Sequence, residues 1–114
     1  MVEEMKDAGA VEAKTYTVTV YLAGDMATAK ASLRRFCMAG LCVTLTPTTF
    51  IYTAGAEEGV AVGLINYPRF PKEPEEIWEM AISLGMQLMD DLCQRSFSVV
   101  APDKTHWFTR KESE

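Results

Sequence analysis

The chain has 114 residues, of which 48% are hydrophobic and 24% charged, and its formal net charge at pH 7 is −5. These values predict one folded domain and exclude a disordered chain. The negative charge and scattered Lys and Arg argue against nucleic-acid binding by phosphate neutralisation. Apolar runs are too short to span a bilayer, and the acidic N-terminus is unlike a signal peptide. We therefore expect a cytoplasmic protein with no membrane partner.

The residue types that carry chemistry are few and dispersed. Cys37, Cys42 and Cys93 make an odd count without a C-x-x-C pair, which argues against a disulfide framework and structural zinc. His106 is the only histidine, and no partner set for a base or a metal site can be named. No phosphate-binding glycine fingerprint or G-x-S-x-G motif occurs. The sequence therefore predicts no metal, no cofactor and no catalytic residue.

The sequence divides into three segments that differ in hydrophobic pattern and polarity. Residues 1–14 show no hydrophobic period and are predicted to form a flexible lead-in. Residues 15–110 carry regular patterns and are predicted to form a single α+β domain. Residues 111–114, KESE, form a polar tail.

The first half of the domain predicts a strand, a helix and a hairpin. Asp25 is placed to cap the helix and Gly40 to end it in the left-handed conformation. Pro47 cannot donate to a ladder, so it marks an edge, a bulge or a break. The predicted elements are a strand at 16–22, a helix at 26–39, strand segments at 41–46 and 50–53, a turn at 54–59 and a strand at 60–67.

The second half predicts a helix at 73–94 and strands at 97–100 and 105–109. The resulting order is βαββαβ with an additional C-terminal strand. This order is typical of the ferredoxin-like fold, an antiparallel sheet with both helices on one face. We therefore predict an α+β, ferredoxin-like domain.

The helix predicted at 73–94 is apolar around more of its circumference than a sheet would cover. One stripe runs from Ile77 to Leu92, and a second stripe beside it contains Trp78, Ile82 and Met89. A helix lying on a sheet needs an apolar arc of roughly 100°. The second stripe must therefore contact either a neighbouring element of the same chain or another chain.

Two tryptophans support the second of these alternatives, contact with another chain. Alternation in the last strand must turn either Trp107 or Phe108 away from the core. Tryptophan is enriched at the centre of protein interfaces, and the alternative is that both tryptophans complete the packing of the monomer. The predicted partner-binding residues are Trp78, Ile82, Met86, Met89 and Trp107.

An acidic cluster opens the second helix. It would suit a cation or an Arg-rich partner, yet acidic residues are also favoured at helix N-termini for electrostatic reasons alone. Whether this cluster or His106 has a role beyond local structure stays open at this point. The members of the cluster are Glu73, Glu75, Glu76 and Glu79.

The middle of the chain, CVTLTPTTFIYT followed by a hairpin, is similar in outline to CutA and PII-type trimeric modules. The similarity extends over residues 16–95 at the level of pattern. The tryptophan and glycine expected near the hairpin turn of a CutA protein are missing here. No metal site and no functional residue is therefore carried over, and fold analogy says little about activity.

Two functions follow as hypotheses. The leading one is a non-catalytic protein-interaction module that associates with itself, in one form a small phage-type inhibitor that binds and blocks a host protein complex. The alternative is a small-molecule-sensing regulatory domain, or a small enzyme, with its site at a subunit interface. In that alternative, the loops at 47–49 and 68–74 form the walls of the site.

Overall fold

A computed structural model describes residues 9–111, so the predictions for residues 1–8 and 112–114 lie outside the described part of the chain. The sheet has five antiparallel strands in the order β2-β3-β1-β4-β5. Among the described residues, no helix is long and apolar enough to cross a membrane. The elements are β1 (Thr17–Ala23), α1 (Met26–Phe36), β2 (Thr44–Tyr52), β3 (Gly55–Ile65), α2 (Pro74–Asp91), β4 (Ser96–Val100) and β5 (Thr105–Thr109).

This architecture confirms the predicted fold class. The first four strands have the ferredoxin-like order, and β5 adds to the free edge of β4 with Ser98 opposite Trp107. Both helices pack on one face of the sheet, where the buried apolar side chains of β1, β3 and β4 meet α2. No helix of the described residues covers the opposite face.

Local signals in the sequence set the limits of α1. The Asp25 carboxylate accepts a hydrogen bond from the Thr28 backbone N–H at 2.8 Å, as predicted for an N-cap. The helix ends at Phe36, and a single 3-10 turn at Cys37–Ala39 continues it to Gly40. Gly40 has φ 101°, the left-handed conformation in which glycine carries no steric penalty.

The β2–β3 hairpin is longer than predicted. Pairing extends to Tyr52 opposite Gly55, so the turn lies at residues 53–54 and the predicted turn at 54–59 is wrong. The hydrogen-bonded ladder continues through the glycine and glutamate residues that the pattern assigned to a turn. Pro47 lies in the edge strand β2, where one side of the strand needs no donor.

The second apolar stripe of α2 is covered by the same chain. Trp78 and Met89 are 7% and 5% exposed. The Trp78 indole contacts the His106 ring edge to face, with centroids 4.9 Å apart, and Lys104 Nζ lies 4.5 Å from the indole centroid. The stripe therefore needs no second chain, because β5 and the turn before it lie under this side of the helix.

A buried polar contact joins the two helices. Ser32 is 1% exposed, and its hydroxyl donates to Asp91 Oδ2 at 2.6 Å. Gln87 Nε2 donates to the Ser32 carbonyl at 2.8 Å, and Arg35 Nη2 donates to the same Asp91 oxygen at 2.6 Å. Hydrogen bonds from Ser32 and Arg35 lower the pKa of Asp91. The carboxylate is thus held in its charged form between α1 and α2.

Candidate functional site

The helix-free face of the sheet contains a hollow of about 190 Å³. It lies where β1 ends, β4 begins and the β2–β3 hairpin leaves the sheet. Four aromatic residues, one carboxylate and several small polar groups line it, and Phe97 is the one of the four that is buried in the core. The principal lining residues are Tyr21, Phe50, Glu57, Ser96, Ser98 and Trp107.

The strand register places one aromatic ring on each side of a serine. Tyr21 pairs with Ser98 across β1 and β4, and Ser98 pairs with Trp107 across β4 and β5. Directly paired residues project from the same face. Two strand spacings separate the ring-bearing Cα atoms by about 10 Å, roughly twice the centroid distance of a stacked aromatic pair. One planar ring can therefore insert between Tyr21 and Trp107, above Ser98.

The hairpin contributes a carboxylate to the edge of this slot. Glu57 lies opposite Phe50 on the helix-free face, and no hydrogen bond or ion pair involving its carboxylate is found among residues 9–111. Its neighbour Glu58 lies on the other face, where it accepts a hydrogen bond from Thr49 at 3.1 Å. Aromatic faces beside an unpaired carboxylate form an environment that attracts an organic cation.

Gly59 makes the approach of Phe50 possible. A Cβ atom at this position would collide with the Phe50 ring and with the Leu22 backbone carbonyl. Any larger residue would push the aromatic ring away or open the β1–β3 pairing. The glycine therefore shapes one wall of the hollow.

A larger cavity, of about 330 Å³, lies on the helix side at the other end of the sheet. Segments 40–42 and 65–72 form its walls, with Ile77 and Met80 of α2. The predicted wall at 68–74 thus contributes to a cavity, whereas residues 47–49 lie inside strand β2. In the described part of the chain, two cationic side chains and no carboxylate line this cavity, whereas the hollow is lined by a carboxylate and no cation.

The predicted partner-binding residues do not form one surface. Trp78 and Met89 are buried and Ile82 is half-buried, so they offer little to a second chain. Met86 is 42% exposed on α2, whereas Trp107 is 65% exposed on the far side of the sheet. Their role in binding a partner stays a prediction, and Trp107 alone of the five lines the hollow.

The two features left open in the sequence have local structural contacts. His106 packs on Trp78, on the face opposite the hollow. Glu76 Oε1 accepts a hydrogen bond from the Glu73 backbone N–H at 3.0 Å, which caps the start of α2. Within residues 9–111, no group of three or more His, Cys, Asp or Glu side chains is placed to hold a metal ion.

Sequence reasoning missed most of the hollow. The pattern places Glu57 in the predicted turn at 54–59, whereas the residue lies in β3. The pattern predicts Tyr21, Phe50 and Ser98 only as members of three separate strands. Alternation shows which strand residues share a face, yet the pairing register that unites four strands is not visible in one sequence.

The chain is similar in fold to two solved structures of a phage SAM lyase. The apo structure has a TM-score of 0.71 and 14% identity, covering 87% of this chain and 92% of that chain. The structure in complex with S-methyl-5'-thioadenosine has a TM-score of 0.72 and 13% identity, covering 94% and 98%. No protein-family model and no curated protein sequence matches the chain. At these identities, the likeness establishes a shared fold.

This finding corrects the leading functional prediction. Both of these solved structures, which share the fold over most of its length, are of a lyase, which is an enzyme and not a protein-binding inhibitor. The predictions of a non-catalytic interaction module and of a chain without enzymatic activity are therefore wrong. The alternative, a small-molecule domain or small enzyme, has the better support. The prediction rested on the absence of a recognisable catalytic motif. That absence does not exclude an enzyme, because small sites can be assembled from dispersed residues.

Proposed function

We propose that this chain is a small lyase that cleaves S-adenosylmethionine (SAM), a sulfonium nucleoside, and releases S-methyl-5'-thioadenosine. The fold likeness to a SAM lyase supports the class. The observation that carries the proposal is the pairing of an aromatic slot with an unpaired carboxylate in one hollow. SAM has a planar base, which matches the aromatic slot. It also has positively charged sulfonium and ammonium groups, which match the carboxylate.

The slot and the carboxylate would bind different parts of the substrate. Adenine would stack between Tyr21 and Trp107, where each ring offers a flat apolar face. Glu57 would attract the positive sulfonium or ammonium group, assisted by the face of Phe50. The cavity on the helix side is a poorer candidate for this substrate, because Arg69 and Lys72 would repel a cation there.

The cleavage can proceed without a nucleophile or base from the protein. In this route, a carboxylate oxygen of the substrate attacks Cγ of its aminobutyrate chain. The Cγ–S bond breaks, and sulfur keeps the electron pair as a neutral thioether. The products are S-methyl-5'-thioadenosine and a lactone, so atoms and charge balance with no added water or proton. Holding the substrate folded for this internal attack lowers the barrier, because the site then keeps the attacking oxygen and Cγ in a near-attack arrangement.

The hollow would need to be completed by a second copy of the chain. Its volume of about 190 Å³ is below the roughly 300–1,000 Å³ of typical ligand sites. Apolar side chains remain exposed beside it, among them Tyr21 at 37% and Trp107 at 65%. The proposal therefore includes a homo-oligomer with the site at a subunit interface. It also includes a cytoplasmic location, because SAM is a cytoplasmic metabolite.

The test is to incubate the purified protein with SAM and to measure S-methyl-5'-thioadenosine and the lactone by mass spectrometry. Glu57→Gln should lower the rate at limiting SAM roughly tenfold or more, the effect of losing one charged contact. Glu58→Gln is the matched control, since it removes the same charge from the opposite face. No SAM consumption, or equal rates in both variants, would contradict the proposal. Nucleoside binding without cleavage would indicate a sensor.

A further inference from the structure

The larger cavity lies apart from the proposed lyase site. Leu64 and Ile77 line it, and both side chains belong to the core between the sheet and the helices. It is located where β1 starts, since Thr17 pairs with Ile65, whereas the hollow lies where β1 ends at Ala23. The sheet therefore separates the two sites, and a ligand in one does not contact the other.

Most of the cavity surface is apolar. Leu41, Leu64, Ile77 and Met80 contribute aliphatic or thioether groups. Phe70 stands at its edge and is 59% exposed, although a large apolar side chain is favoured in a buried position. The volume of about 330 Å³ falls at the lower end of the range of small-molecule sites. The walls therefore fit a compact apolar body.

The charged side chains that the structure describes at the cavity are both positive. Arg69 and Lys72 line it, and no Asp or Glu among residues 9–111 does. Within residues 9–111 neither side chain forms an ion pair, and the Arg69 guanidinium lies 5.4 Å from the Phe70 ring centroid. A hydrogen bond with Cys42 and burial raise the pKa of Tyr67, so its hydroxyl stays neutral and does not offset these charges. This positive edge occurs in a chain whose net charge is −5.

The loop that carries both cations is fixed in place. Asn66 Oδ1 accepts a hydrogen bond from the Lys72 backbone N–H at 2.9 Å, and its Nδ2 donates to the Lys14 carbonyl at 2.8 Å. The Phe70 N–H donates to the Tyr67 carbonyl at 2.9 Å, which closes a turn. A preformed wall lowers the entropy cost of binding a ligand.

We infer that this cavity is a second ligand site, which binds a small organic carboxylate with an apolar or aromatic body. The carboxylate would lie between the side chains of Arg69 and Lys72, since guanidinium binds carboxylate through paired hydrogen bonds. The apolar body would fill the space above Leu64 and Met80. The inference does not depend on the reaction proposed for the hollow.

The experiment uses 1-naphthoate as the probe and 1-naphthalenemethanol as its neutral counterpart. Isothermal titration of the full chain should show saturable binding of one naphthoate per chain and binding of the alcohol at least tenfold weaker. The double variant Arg69→Gln, Lys72→Gln should weaken naphthoate binding roughly tenfold or more. The matched control, Lys30→Gln with Arg34→Gln, removes two cations from a groove beside α1 and should leave the affinity unchanged.

Three outcomes would overturn the inference. These are absence of saturable naphthoate binding, equal affinity for the alcohol, and an affinity that is unchanged by loss of Arg69 and Lys72 while circular dichroism shows a folded variant. Adding S-methyl-5'-thioadenosine provides a further check. Competition between the two ligands would mean that this cavity is the nucleoside site, and simultaneous binding supports two sites. SAM cleavage is measured separately, so failure of either proposal is recognised independently.

Discussion

The indole of Trp78 and the imidazole of His106 meet edge to face, with an interplanar angle of 85°. The contact joins the second stripe of α2 to strand β5. Two residues further along β5, on the same face, Phe108 stacks on Phe97 with centroids 5.0 Å apart. The fifth strand thus widens the sheet under α2, which explains why this helix is apolar over so much of its surface.

Trp78→Ser is expected to lower the stability of the fold rather than to break an assembly. The indole is 7% exposed, and truncation of a buried aromatic costs about 3–5 kcal/mol. Urea unfolding measures this change. Trp107→Ser is the control, because an indole 65% exposed should change stability by less than about 0.5 kcal/mol. Equal unfolding midpoints for the two variants would show that the packing around Trp78 is misassigned.

Trp107→Ser should instead weaken nucleoside binding. Loss of one stacking face from the slot beside Ser98 should cost roughly 1 kcal/mol, or about a fivefold rise in the Kd for S-methyl-5'-thioadenosine. Titration calorimetry measures the constant. Trp107→Phe keeps an aromatic face and should retain most of the affinity. If Trp107→Ser and Trp107→Phe bind alike, the slot does not hold the base.

Gly85→Ala should destabilise the protein, although alanine normally stabilises a helix by about 1 kcal/mol over glycine. A Cβ atom at this position would occupy the space of the Phe97 ring, which is 2% exposed and cannot move aside. We expect a net loss of about 1–3 kcal/mol in the free energy of unfolding, measured with urea. Ser83→Ala, at an exposed position of the same helix, should be neutral or slightly stabilising. A gain in stability for Gly85→Ala would contradict this packing.

The contact between Ser32 and Asp91 should make stability depend on pH in the acid range. Hydrogen bonds from Ser32, then Arg35, lower the pKa of Asp91 in the folded state. Because the pKa of Asp91 is lower in the folded state than in the unfolded state, the charged carboxylate stabilises the fold. This stabilisation is fully present above the unfolded pKa of about 3.9 and is lost as the pH falls through the folded pKa. The stability difference between the wild type and Asp91→Asn should therefore be largest near neutral pH and shrink below about pH 4.

Ser32→Ala tests the cause of this dependence. Without the serine hydroxyl, the pKa of Asp91 should move toward its ordinary value, so the acid-range loss of stability should be smaller than in the wild type and complete at a higher pH. Urea unfolding at a series of pH values measures both variants. An unchanged pH profile for Ser32→Ala would mean that the serine does not set the pKa.

Several parts of the fold could be predicted because their causes are local. Asp25 caps α1 through a neighbour three residues away, and Gly40 ends the helix through its own backbone freedom. Alternation placed Trp107 and Phe108 on opposite faces of β5, and the structure agrees. The turn at 54–59 was wrong because composition favoured a loop, whereas ladder pairing across the hairpin extended both strands.

The candidate site depended on contacts between distant residues. Tyr21, Phe50, Glu57 and Trp107 come from four strands, and only the pairing register brings them to one hollow. A one-residue slip in any ladder would move a member to the other face. Their residue types were visible in the sequence, but the grouping was not.

The sequence by itself determined the order of the elements, the apolar faces and the fact that α2 must be covered on two sides. Those properties follow from periodicity, which a single chain displays directly. Only the tertiary structure decided that β5 covers Trp78, that Trp107 remains exposed and that Glu57 lies beside aromatic rings. Register and packing set these relationships, because they depend on which segments meet in space and not on the order of residues.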